Sequence, residues 1–319
     1  PVRINSDTSN TTLTLSGGIS NGSIGLTIGG TGNTTVSSAI VSGAGTLTKD
    51  GSGILTLSGA NTYTGSTTLS TGTIRIGVNT VYSAGITSSA VGTGTLILNG
   101  GTISSSGTTT GSDRTIYNAI TIGGDVTLGD GTNTGVLTFA GNAGLGAATR
   151  SLTVASGVIF SGIISGNSNV GITKDGSGIL TLSGANTYSG STTLTTGTIR
   201  IGNAGSGSVG SITNSSIGTG TLILNGGTIS SDSSTARTIY NPITYTGNVT
   251  FGDGTYNGAL TFAAAEELGA ATRTLTVNTT GGVTLSGIIS STGAYGITKD
   301  GSGILTLSGT NTYTGATTV

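Results

Sequence analysis

Histidine, cysteine, methionine and tryptophan are all missing from this 319-residue chain, and proline occurs only 2 times. Each absence excludes something. Without histidine or cysteine, the common nucleophile–base pairs and zinc sites cannot be assembled. No disulfide can staple the fold, so packing alone must hold it. Charged residues make up 7% of the chain and the net charge is −1, so there is no basic field for phosphates and nucleic acid is excluded as a partner. The chain has no membrane span, because no run of about 18 apolar residues is present. No initiating methionine or signal-peptide pattern precedes Pro1, so the stretch reads as a mature product or an excerpt from something longer.

What is abundant is glycine, 61 residues of it, together with serine and threonine. Disordered chains share that polarity, but they are usually charged and poor in β-branched residues. Here Ile, Val, Leu and Thr alternate in runs of about five residues bounded by Gly, Asn, Asp or Ser, the two-residue period of half-buried strands. In such a strand Leu55 and Leu57 point inward with Thr56 outward, and Ile74 and Ile76 inward with Arg75 outward. No segment carries a helical period.

The runs are organised by one stretch, Leu47 to Gly77, which reads LTKDGSGILTLSGANTYTGSTTLSTGTIRIG. It returns from Ile172 and again from Ile297, and the lysines fix the spacing at 174 − 49 = 125 and 299 − 174 = 125. A long period built of short strands signals a stacked architecture. We divide the chain into a partial unit (1–46), two full units (47–171 and 172–296) and a second partial unit (297–319), all within one continuous solenoid over 1–319. Between the full units the offset drifts from 126 (Gly92 to Gly218) to 123 (Tyr117 to Tyr240) and then returns to 125. Such compensated changes suit turns projecting from a fixed stack, and the dissimilar intervals Gly77 to Val91 and Gly202 to Ile217 are expected to be projecting loops. The predicted fold is an all-β β-solenoid, most simply a right-handed parallel β-helix, with three strands per coil of roughly 20–30 residues and neighbouring rungs about 4.8 Å apart.

The segment Gly53 to Ile76 resembles the autotransporter-associated β-strand repeat, also called the passenger-associated transport repeat. Gly53, Leu55, Leu57, Asn61 and Tyr63 carry the resemblance. So do Gly178, Leu180, Leu182, Asn186 and Tyr188 in the second copy, and Gly303, Leu305, Leu307, Asn311 and Tyr313 in the third. The resemblance implies a β-helical passenger exported across the outer membrane of a Gram-negative-type bacterium, extracellular or held at the cell surface. It assigns those residues a structural role.

Carboxylates are the remaining route to catalysis, as in β-helical enzymes that cleave polysaccharides. Asp50, Asp175 and Asp300 each sit in a KDGSG turn, and Asp130 and Asp253 in GDG turns, so turn geometry is the expected role of all five. Glu266 and Glu267 are adjacent, align with Gly141-Asn142 of the preceding unit, and read as a solvated loop pair. Arg3, Arg75 and Arg200 alternate outward from their strands and read as a solvated face that discourages aggregation. Tyr63, Tyr188 and Tyr313 are expected to fill a corner with the hydroxyl at the surface. No catalytic, cofactor or metal site is predicted.

Solenoids normally close with a polar cap. Neither Pro1, Val2, Arg3 and Ile4 nor Thr317, Thr318 and Val319 has that character. Set end to end, NTYTGATTV and PVRIN approximate the internal NTYTGSTTL…TIRIG, so the ends are expected to stack on another copy or on the rest of a longer polypeptide. The leading functional reading is a non-enzymatic extracellular stalk or fibre of a bacterial surface, serving adhesion, biofilm or reach. The alternatives are a carbohydrate-binding adhesin whose loops, such as Val78 to Ala90, contact surface glycans, and a polysaccharide-active enzyme.

Overall fold

A computed structural model describes residues 1–41, 43–107 and 112–319. Among these residues there is no helix, and short parallel strands wind into a β-solenoid, as the alternation predicts. Two compact units are present, 1–146 with 150–162 and 147–149 with 163–319.

In the first unit, the strands Val2–Asn5, Leu26–Gly29, Leu47–Lys49, Thr67–Leu69, Leu96–Leu98, Ile120–Ile122 and Ala143–Gly144 stack in that order as one face. Their starts are 20 to 29 residues apart, within the range expected for one coil. A second face runs from Thr12–Leu15 to Arg150–Val154. The third face is the least regular, built of Ile19–Ser20 with Ile40–Val41 and, later, Arg114–Ile116, Leu137–Phe139 and Val158–Phe160. Register is strict. Leu55 pairs with Ile74 and Leu57 with Ile76 inside the coil, while Thr14, Thr35, Thr56, Arg75 and Ser104 form one outward row. Matching side chains stack from rung to rung in the interior, where Phe139 lies over Phe160 with ring centres 4.8 Å apart. Because each side chain packs on its counterpart in the next coil, a narrow coil buries its apolar residues without a second layer.

The second unit repeats the plan, with an unexpected offset. Strand Ile172–Asp175 lies on the face shared with Thr192–Leu194, Leu222–Leu224, Ile243–Tyr245, Glu266–Glu267 and Ile289–Ser290. Strand Ile297–Asp300, the same sequence one repeat later, lies on the next face, between Arg273–Val277 and Thr317–Thr318. The 125-residue period therefore spans five and one-third coils rather than a whole number. Within this unit the third copy of the repeat motif lies one face on from the second.

The intervals expected to project do so. Val81–Tyr82 pairs antiparallel with Ile86–Ser88, and Ser206–Ser208 with Ser211–Asn214, each forming a small hairpin outside the coil.

Candidate functional site

The repeat motif builds one corner three coils deep. Asn186 is fully buried; its side-chain oxygen accepts the Ile164 N–H at 2.7 Å and its amide donates to the Ser216 carbonyl at 2.6 Å. Tyr188 fills the corner. A Cβ on Gly218 in the next coil would lie 2.5 Å from the ring, and Gly218 has φ +71°, which glycine alone adopts without strain. One coil further, Asn241 donates to the Gly218 and Gly220 carbonyls at 3.0 and 2.6 Å. The first unit holds the same arrangement in Asn61, Tyr63, Gly92 and Asn118. Leu55, Leu57, Leu180 and Leu182 are buried beside these corners. Gly303, Leu305, Leu307, Asn311 and Tyr313 are half-buried on the outermost coil of the second unit, where Asn311 still accepts the Ile289 N–H at 2.9 Å.

The hydroxyls of Tyr63 and Tyr188, unlike that of the half-buried Tyr313, correct the expectation that they reach the surface. Tyr188 is wholly enclosed, and its hydroxyl donates to Thr192 Oγ1 at 2.6 Å, which itself donates to the Ile217 carbonyl at 2.8 Å. Tyr63 repeats the relay through Thr67 and the Val91 carbonyl. The partner threonine four residues on was the unread signal. Burial pushes both phenols above their ordinary range.

The motif lysines also turn inward. Lys174 Nζ donates to the carbonyls of Asp175, Gly176 and Thr196 at 3.1, 2.6 and 3.0 Å, and Lys49 Nζ to those of Asp50 and Gly51 at 2.6 and 2.7 Å. Removal from water lowers both to about 8. Between about pH 8 and the ordinary lysine range the unfolded chain holds more protons than the folded one, so stability rises with pH in that window. The gain is expected to be on the order of 1–2 kcal/mol per lysine, and Lys49→Met with Lys174→Met should abolish it in urea titrations at pH 7.5 and 9.5.

The arginines are paired rather than simply solvated. Arg200 Nε donates to Asp253 Oδ2 at 2.6 Å and its guanidinium lies 4.7 Å from the centre of the Tyr256 ring. Arg75 reaches Asp130 at 3.4 Å, with Ser104 of the intervening rung donating to the same carboxylate at 2.8 Å. Arg3 makes two bonds to Asp50, at 2.8 and 2.9 Å. Asp130 and Asp253 do shape their turns, each accepting two backbone N–H groups through Oδ1. Burial is the strongest single influence and works against ionisation of Asp253, but the bond and charge of Arg200 together with the Thr255 and Tyr256 N–H groups outweigh it and hold the carboxyl below its usual range. Asp175 accepts from Thr196 at 2.9 Å, and Asp300 accepts its neighbour's Gly301 N–H at 2.7 Å.

Glu266 is the largest departure from expectation. Glu266 and Glu267 form a strand, not a loop, and Glu266 is 1% exposed. Its register partner is Ile243, as Ala143 partners Ile120 in the first unit, so its counterpart is Ala143 and not Gly141. Tyr245, where the first unit has Ile122, donates its hydroxyl to Glu266 Oε2 at 2.6 Å. Burial raises the carboxyl to about 8, against which the Tyr245 bond acts only in part. Glu267 faces the other way and accepts from Ser290 at 2.7 Å.

No group of three or more carboxylates able to hold a metal ion occurs among the described residues. The residues at the two ends differ in exposure: Val2 and Val319 are open to solvent, Ile4 is half-buried, and Thr317–Thr318 pairs with Ile297–Asp300. The exposed features outside the coil are the hairpins. Tyr82 on the first hairpin stacks on Tyr117 with ring centres 4.9 Å apart.

A family model described as passenger-associated-transport-repeat matches residues 47–76, 172–201 and 297–319. The chain is 32% identical over 328 aligned residues to the Adhesin BmaC autotransporter of Brucella suis biovar 1 (strain 1330). That alignment covers 97% of this chain and 8% of the relative, so the chain spans a small fraction of the length of the protein it matches. No solved structure matches it.

Proposed function

We propose that this chain, which belongs to the passenger-associated-transport-repeat family, is a non-enzymatic stretch of a surface-exposed passenger that carries adhesive hairpins on a self-supporting stack. The observation that carries the reading is where the repeat's side chains go. Asn61, Tyr63, Asn186 and Tyr188 are buried in the corners that join one coil to the next. The motif thus serves the stack itself and leaves recognition to whatever projects from it. The likeness to an adhesin autotransporter supports the same reading, as does the pairing of Asp50, Asp130 and Asp253 with arginines, which commits these carboxylates to structure.

The test is to display the chain on a Gram-negative host through an unrelated carrier and count cells retained on surfaces coated with host-cell matrix. Displaying cells are expected to adhere several-fold better than cells bearing the carrier alone. Equal retention by the two strains sinks the proposal.

A further inference from the structure

We propose that Tyr82, backed by Tyr117, is a stacking platform for a pyranose ring of a neutral glycan. The inference rests on the adhesive reading above and assigns it a residue and a ligand chemistry.

Tyr82 is 57% exposed and Tyr117 40% exposed, in a chain whose aromatic content is 4%. Water around so much aromatic surface is unfavourable by about 25 cal/mol per Å2 of apolar area, so an open ring pair held in place points to a ligand. Tyr256, the other tyrosine among the exposed large side chains, has Arg200 over its ring. Tyr82 has its neighbour Tyr117 on one face, and more than half of its surface faces solvent.

The platform is rigidly based. The Thr80 N–H donates to the Thr115 carbonyl at 2.9 Å, and Asn79 Oδ1 accepts the Thr115 N–H at 2.8 Å, which seats the hairpin against strand Arg114–Ile116. Across the hairpin, Thr87 Oγ1 donates to the Val81 carbonyl at 3.2 Å. The result is an exposed aromatic pair on a short segment that also carries the Asn79 amide and the Thr87 hydroxyl. That combination matches a sugar, which offers an apolar C–H face and a rim of hydroxyls. It is too small for a protein partner, which needs about 800 Å2 on each side.

The second unit supplies a natural contrast. Tyr240 corresponds to Tyr117, and Gly207 stands where the first hairpin carries Tyr82. The Gly205 backbone closes on Tyr240, so that a Cβ there would lie 3.3 Å from the ring. One hairpin therefore presents an open aromatic face and the other does not, although both are seated by the same backbone bond, Gly205 N–H to the Thr238 carbonyl at 3.1 Å in the second.

Saturation-transfer NMR on the full chain, with maltohexaose, cellohexaose and mannohexaose as neutral probes and a hyaluronan hexasaccharide as the charged one, tests the assignment. At least one neutral hexasaccharide is expected to receive saturation. Tyr82→Gly, which copies the second hairpin, should weaken the signal at least tenfold, while Tyr82→Trp should retain it. The site is overturned by silence from all three neutral probes, by Tyr82→Gly binding like the parent, or by preference for the charged probe. Sedimentation showing self-association that Tyr82→Gly abolishes also overturns it, in favour of a contact between copies. If displaying cells adhere but their Tyr82→Gly variant adheres equally, the glycan site fails while the adhesive role stands.

Discussion

Replacing Tyr188 with alanine is expected to destabilise the second unit by about 3–5 kcal/mol, and replacing it with phenylalanine by about 1 kcal/mol. The first figure follows from the corner's construction. The ring is fully buried, Gly218 lies against it from the following coil, and Asn241 pins that glycine by its carbonyl. Removing the ring leaves a void against Gly218, whose N–H and carbonyl are both held in hydrogen bonds, so the site resists collapsing to fill it. The second figure follows from the relay. Thr192 Oγ1 donates to Ile217, so it needs the Tyr188 hydroxyl as donor, and phenylalanine leaves only that one acceptor unmet. Gly218→Ala attacks the same corner from the other side, combining strain at φ +71° with a clash against the ring, and should cost about 2–4 kcal/mol. Urea unfolding followed by tyrosine fluorescence and by amide exchange in residues 186–222 checks all three. If Tyr188→Ala proves as mild as Tyr188→Phe, the corner is not what ties successive coils together.

Much of this was legible in the sequence. The alternation around Leu55 and Leu180 announced strands, and the spacing of Gly, Asn and Tyr in the three motif copies announced recurring corners. What stayed hidden depended on which residues meet across coils. Arg75 and Asp130 are 55 positions apart and come together only because strands two rungs apart lie near each other, with Ser104 between them. The one-third coil left over between Ile172 and Ile297 is not legible either, since identical strands carry no mark of the face they occupy. The hydroxyls of Tyr63 and Tyr188 were misplaced because a tyrosine among polar residues suggests a wet corner, whereas the threonine four positions later gives the hydroxyl a dry partner. The burial of Glu266 has a readable cue in the sequence. At the 123-residue offset already established by Tyr117 and Tyr240, Ile122 becomes Tyr245 and Ala143 becomes Glu266. Two adjacent-rung positions change together from apolar to hydrogen-bonding, the pattern of a contact exchanged as a pair.

That exchange predicts a pH dependence with a definite sign. Glu266 keeps its proton in the folded chain up to about 8, while in the unfolded chain it ionises around its ordinary 4.5. Between those values the unfolded state releases a proton that the folded state retains, so stability falls as pH rises. The full loss is about 4–5 kcal/mol and is complete above pH 8, where the folded state ionises too. The lysine contribution begins there with the opposite sign, so the stability curve should pass through a minimum near pH 8 and recover toward pH 10. Beyond that the buried tyrosines, whose protons the folded state holds more tightly, turn it down again. Glu266→Gln removes the fall below pH 8 and leaves the rise above it. The double replacement Tyr245→Ile with Glu266→Ala installs the first unit's pair at the same register; it should flatten the same region at a cost of no more than about 1–2 kcal/mol at pH 5. Each single replacement of that pair should cost more, because Glu266→Ala strands a buried phenol and Tyr245→Ile strands a buried carboxyl. Urea midpoints from pH 4.5 to 9.5 decide the matter: a parent curve as flat as that of Glu266→Gln would mean that Glu266 is ionised or solvated in the folded chain, and that the Tyr245 contact does not hold it neutral.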